Sequence, residues 1–197
     1  MGQAGMAEAA VRYLRSAGAA PVEALPRPEL RCVREDERAP VGQGEFRRVL
    51  GNFASGVAVV TSPAADGEDG PAGFACQSFA ALSLDPPLVA FMVGRTSTTW
   101  PRIARAGVFC VNVLAAHQGE LCRGFAVSGA DKFAGVAFDA APASGSPRLA
   151  DTLAWIDCTI HAVHTGGDHL IVVGRVEALG TGDEDRAPLL FHKGRFV

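Results

Sequence analysis

LAWIDCTIHAVHTGGDHLIVVGRVEALGTG, residues 153–182, decides the fold class. Two runs of alternating, β-branched character flank Thr165-Gly166-Gly167-Asp168. A Gly-Gly pair between such runs is one of the stronger short-range hairpin signals. The segment is predicted to form strands over about 153–164 and 169–179 with a turn at 165–168.

Further strands lie upstream. VAVVTS (57–62) reads as one, ended by PAADGEDGPAG (63–73), whose acids, glycines and prolines mark an exposed hairpin connection. GFACQSFAALS (73–83) reads as a second strand, broken by Asp85-Pro86-Pro87. LVAFMV (88–93) is expected to be buried on both faces, and VFCVNVL (108–114) is a fourth. LLFHKGRF closes the chain as a last short strand. Between them, GEFRRVLGNFASG (44–56) carries Phe46, Val49, Leu50 and Phe53 at i, i+3, i+4 and i+7, one helical stripe. WPRIARAG (100–107) is a helix with Pro101 in its first turn. AAHQGELCRGFA (115–126) is a third helix, and 127–150 reads as mostly irregular. Many hairpin-linked strands and three short helices favour an antiparallel barrel with helical caps. A doubly wound parallel sheet is disfavoured, because strands and long helices do not alternate.

Composition agrees. The 197 residues are 48% hydrophobic and 20% charged, with a net charge of −3, which suits one soluble core. The 23 glycines and 12 prolines fit short strands and many turns better than long helices. No run approaches the roughly 18 apolar residues of a membrane span. No basic stripe suits nucleic acid. The opening MGQAGMAEAAVRYLRSAG lacks the apolar core of a secretory signal. The five cysteines, at 32, 76, 110, 122 and 158, are odd in number and have no C-x-x-C spacing. Neither a disulfide framework nor a zinc site is therefore expected, and the cytoplasm is the expected compartment. His161 and His164 fall on opposite faces of a strand and make poor co-ligands. Residues 1–43, rich in Pro, Arg and Glu, read as an extension that is partly helical or disordered, leaving 44–197 as the domain.

Several common motifs are missing: no G-x-G-x-x-G follows a strand, and there is no Walker A, H-E-x-x-H or G-x-S-x-G. What stands out is Gly73–Thr99. Its small residues would let a flat ring approach the backbone, and an edge backbone offers the alternating donors and acceptors a flavin's pyrimidine edge requires. The turn Arg95-Thr96-Ser97-Thr98-Thr99 opens a helix with hydroxyls and a guanidinium, suited to a phosphate. On composition alone, a tight barrel strand and an ordinary helix cap explain the same residues.

The ordered set FRRVLGNFASGVAVVTS, GFACQSFAALSLDPPLV, GVFCVNVL, CRGFA with ADKF, GGDHLIVVGRV and PLLFHKGRF resembles the short-chain flavin reductase family over about 46–197. These are FMN-binding split-barrel proteins that serve two-component monooxygenases. The resemblance implies a mainly β fold, an antiparallel split barrel with Greek-key character and a few short capping helices. It further implies an NAD(P)H:flavin oxidoreductase that uses FMN or FAD with NADH or NADPH. A homodimer would complete each site, and a separate flavin-dependent monooxygenase would receive reduced flavin by diffusion.

The resemblance also implies roles for residues. The family's loop usually reads Thr-x-Asn-Ser along the isoalloxazine. Here it is Ala75-Cys76-Gln77-Ser78, so Gln77 must reach in place of Asn. Ser83 and Leu84 match the stretch that continues along the ring. Arg95, Ser97, Thr98 and Thr99 match the turn that holds the flavin phosphate. Ser55, Gly56 and Val57 open the first strand near the cofactor, and Phe125 borders its ribityl or adenine side. Gly167, Asp168 and His169 look like the family's G-D-H motif, in which His169 lies against the nicotinamide as a positioner rather than a proton donor. Two alternatives stay open: a flavoprotein oxidoreductase with fixed flavin and, because of the altered loop, a non-catalytic flavin- or haem-binding split barrel.

Overall fold

The computed structural model describes residues 41–129, 131–182 and 185–197. The expected extension over 1–43 lies outside the described residues except for its last three positions. The described chain runs α1 (Gln43–Leu50), β1 (Ser55–Gly56), β2 (Ala58–Ser62), β3 (Ala72–Cys76), β4 (Ala80–Leu84), β5 (Pro87–Gly94), α2 (Trp100–Ala106) and β6 (Val108–Val113). A 3-10 turn (Ala116–Gln118) leads into α3 (Gly119–Ala126), followed by β7 (Phe138–Ala140), β8 (Pro147–Leu149), β9 (Ala154–Gly166), β10 (His169–Thr181), β11 (Leu190–His192) and β12 (Arg195–Phe196).

Seven strands form one antiparallel sheet in the order β3-β2-β6-β9-β10-β5-β4. The consecutive strands β5 and β6 flank the β9–β10 hairpin, which gives the sheet its Greek-key character. The two edges of the sheet, β3 and β4, are themselves consecutive, joined by Gln77-Ser78-Phe79. These three residues therefore cross a seam that no strand pairing closes. At the seam the Ser78 hydroxyl donates to Met92 O (3.0 Å) and accepts from Met92 N–H (2.9 Å), standing in for a strand on the β5 edge.

The predicted single strand over 73–83 is thus two strands at opposite edges. The hairpin is as expected, with β9 running two residues further toward the turn, β10 two residues further at its far end, and a tighter turn, Gly167-Asp168. Gly167 has φ +70°, a conformation that favours glycine. Within 127–150 the chain forms the small β7–β8 hairpin rather than remaining irregular, and the C-terminal strand is itself a hairpin, β11–β12. Two side chains from the main sheet hold the β7–β8 unit. The buried Asn112 carboxamide accepts from Leu149 N–H (2.8 Å) and donates to Val59 O (3.2 Å) and Thr61 Oγ1 (3.1 Å). The buried Asp157 carboxylate accepts from the N–H groups of Ala143 (2.8 Å) and Ser144 (3.0 Å). Both satisfy polar groups that would otherwise be costly to bury.

Two apolar clusters share β2. Ala58 and Val60 face the barrel interior with Phe91, Phe109, Trp100 and Ile103, while Val57 and Val59 face Leu114, Phe125, Leu149 and Leu189. Period-2 alternation puts successive valines into different cores. The rings of Phe91 and Phe109 meet edge to face at 5.2 Å. Phe109 also fills the hollow left by Gly174, where a Cβ would lie 2.3 Å from the ring. The expectation that 88–93 is buried on both faces is corrected: Val89, Phe91 and Val93 point into the core, while Met92 on the other face is 44% exposed. Strand β2 has both faces covered instead.

Candidate functional site

The seam is also where the candidate residues collect. A cavity of about 310 Å³ is lined by Ala75, Cys76, Gln77 and Ser78, by Met92–Gly94 on β5, by Ser97, and by His169 at the start of β10. Among the described residues strand β3 has β2 on one side only, so its backbone N–H and C=O groups alternate open along the seam. Gln77 also lines a second cavity of about 260 Å³, with Ser55, Gly56 and Val57. Thr98 and Thr99 line a third of about 570 Å³, with Glu68, Arg102 and Lys132.

Local chemistry sets what each side chain can offer. His169 pairs through Nδ1 with Asp168 Oδ1 at 2.8 Å. Its other nitrogen, Nε2, lies beside Gly94, where an added Cβ would sit 3.9 Å away. The hydrogen bond from His169 holds the Asp168 carboxyl below the usual carboxylate range, and Arg47 adds to the effect. Asp168 further anchors the neighbouring turn, its carbonyl accepting from Arg95 N–H at 3.0 Å. Ser97 Oγ accepts from Trp100 N–H (3.1 Å), satisfying the first amide of α2. The Cys76 thiol lies 3.4 Å from Ser78 Oγ, and burial pushes its pKa up, so it is a neutral small wall and not a nucleophile.

The structure therefore brings Ala75, Cys76, Gln77, Ser78, Ser97 and His169 into one cavity, with Gly167 and Asp168 forming the turn that presents His169. It puts Ser55, Gly56 and Val57 next door through Gln77, and Thr98 and Thr99 in the third cavity. Arg95 is exposed beside the Gly167-Asp168 turn. Ser83 and Leu84 stand on β4, the outer edge strand, and line none of these cavities. Phe125 is 1% exposed, its ring resting where a Gly73 Cβ would sit at 2.8 Å. The space spared by Gly73 is filled by the protein's own ring, not kept for a ligand. Met92 and Gly94 also line the cavity, beyond the residues the resemblance assigns. Their signal was alternation with the buried Phe91 and Val93.

A slot with small side chains, an open strand edge and a glycine opposite an imidazole fits a flat ring with alternating donors and acceptors along its rim, as in a flavin. The comparisons agree. The family model "Flavin reductase like domain" matches residues 50–197. The chain is 51% identical over 153 residues to "Flavin-dependent monooxygenase, reductase subunit HsaB" of Rhodococcus jostii, covering 77% of this chain and 75% of that one. Among solved structures, nitrilotriacetate monooxygenase component B from Mycobacterium thermoresistibile superposes with a TM-score of 0.74 at 47% identity, covering 79% of this chain and 85% of the other. Streptomyces globisporus NADH:FAD oxidoreductase SgcE6, solved with NAD and FAD fragments, does so with a TM-score of 0.73 at 37% identity, covering 79% and 91%. Residues 50–197, seam and hairpin included, make this chain a member of the flavin reductase family, with its split-barrel fold.

Proposed function

We propose that this protein is the NADH-dependent flavin reductase of a two-component system, reducing FMN or FAD and releasing the product to a separate monooxygenase. The observation that carries the reading is the meeting of the open β3 edge, the Ser97 turn and the Asp168-supported His169 in one slot. When bound, the flavin supplies a two-electron acceptor and the reduced nicotinamide a hydride. The protein's part is orientation. Backbone groups of Ala75–Ser78 hold the ring's polar rim, since the Ser78 and Ser97 hydroxyls already serve Met92 and Trp100. Asp168 fixes the imidazole so that Nε2 faces the slot, and His169 positions the nicotinamide. Names of reductases among the relatives favour turnover over binding alone.

The working unit is a homodimer. Helix α1 has no buried residue and ends at Leu50, short of the stripe expected to run to Phe53; Phe46, Val49 and Leu50 on it are exposed, and Phe53, three residues past its end, is 81% exposed. A short amphipathic helix is stable chiefly through what covers its apolar face. Leu82 and Leu84 on β4 and Met92 on β5 add to the uncovered apolar surface. The domain is taken as 44–197. The proposed compartment is the cytoplasm, a reading that the free thiols of Cys76, Cys110, Cys122 and Cys158 support. The test is steady-state loss of NADH absorbance with added FMN or FAD. Flavin-dependent oxidation is expected, and its absence with both flavins and with NADPH as well would sink the reading.

A further inference from the structure

Lys132 lies in the ADKF stretch that follows α3. Its ammonium donates to the carbonyls of Gly73 (3.1 Å) and Phe125 (3.0 Å), which leaves one of its three protons free. It is half-buried, and burial lowers its pKa from the ordinary value. Among the described residues no carboxylate pairs with it. The other acids and bases on the same cavity are committed or screened. Glu68 is ion-paired to both Arg102 (2.7 Å) and Arg105, and Arg102 also donates to Gly70 O at 2.7 Å. Asp131 accepts from Phe133 N–H at 3.1 Å, and both Asp131 and Asp69 are exposed to solvent. The cavity therefore carries one half-buried cation without a counter-charge among the described residues, and the hydroxyl-bearing Thr98 and Thr99 line the same cavity. A partly desolvated ammonium with a spare donor gains most from a doubly charged oxyanion.

We propose that Lys132 is a specificity-determining residue that reads the phosphate of the flavin and so selects FMN or FAD over riboflavin, an assignment that rests on the flavin reductase reading above.

The experiment measures dissociation constants of FMN and riboflavin by flavin fluorescence on the full-length chain, for wild type, Lys132→Met and Lys132→Arg. Wild type is expected to bind FMN more tightly than riboflavin. Lys132→Met should weaken FMN about tenfold or more while leaving riboflavin within about twofold, the scale of one lost charged hydrogen bond. Lys132→Arg should keep most of the FMN affinity. Unchanged riboflavin binding doubles as proof that Lys132→Met folds. Equal weakening of both flavins would overturn the assignment, leaving Lys132 a structural tie alone. So would unchanged FMN binding, or a raised KM for NADH without a change in FMN affinity, which would make the dinucleotide's pyrophosphate the ligand. A wild type that binds neither flavin and oxidises no NADH would instead bring down the parent reading together with this one. A wild type that reduces both flavins but binds them equally would bring down this one only.

Discussion

Strands β2 (AVVTS, 58–62) and β4 (AALSL, 80–84) are the same length, belong to the same sheet and are similarly apolar, yet their surroundings are opposite. Every residue of β2 is buried, between β3 and β6 and between two apolar clusters. Among the described residues β4 pairs only with β5, four of its five residues are exposed, and Leu84 is 94% exposed. Strand sequence alone does not determine burial. What decides it is whether other elements cover each face. In β2 that cover comes from the same chain, while the leucines of β4 are left uncovered by the described residues, as the proposed homodimer requires.

The comparison can be broken most forcefully on the β2 side. Phe109→Ala removes the ring that packs on Phe91 and fills the Gly174 hollow, and should cost about 3–5 kcal/mol in urea unfolding. A loss below about 1 kcal/mol would mean the interior does not depend on that packing. On the β4 side, Leu84→Asp should leave the unfolding free energy of the isolated subunit within about 0.5 kcal/mol. It should nevertheless convert the proposed dimer to a monomer in sedimentation. A wild type that already sediments as a monomer would show that β4's exposure serves no self-association.

The seam between the two strands gives subtler readouts. His169→Ala should raise the KM for NADH about tenfold, with a smaller fall in kcat, as expected of a positioning residue. A fall confined to kcat would overturn that role. The smallest effect concerns the β2–β3 connection. Hydrogen bonding from Arg105, with Arg102, holds the Glu68 carboxyl below its usual 4.5. A carboxylate whose folded pKa is depressed adds stability above the unfolded value and loses it as pH falls through the folded one. Wild type should therefore lose slightly more melting temperature than Glu68→Gln between about pH 6 and about pH 3. Equal losses would show that the clasp contributes nothing.

Where local chemistry decides structure, the sequence is easy to read. The 153–182 hairpin, α2 behind Pro101 and the strands VAVVTS and VFCVNVL all emerge from alternation and turn residues. The single strand read over 73–83 is different, because Gln77-Ser78-Phe79 contains no Gly or Pro. The break there is imposed by the seam, which appears only once β5 brings Met92 to Ser78. The β7–β8 hairpin is held by Asn112 and Asp157, both distant in sequence. At the site, Ala75–Ser78, Ser97 and His169 could be nominated from the motif order. Lys132 could not, since the carbonyls that expose its importance, those of Gly73 and Phe125, reach it only through folding. Gly73 misled in the same way, its apparent vacancy being occupied by Phe125.

Ser78 has a consequence for solubility. Above the end of β4, strand β5 would present Met92's bare N–H and C=O to any passing extended chain, the template from which sheets grow between molecules. One hydroxyl occupies both groups at once. The protein can thus keep a gap in its barrel wide enough for a ring without offering a sticky edge for aggregation, and replacing Ser78 with alanine would reopen that edge.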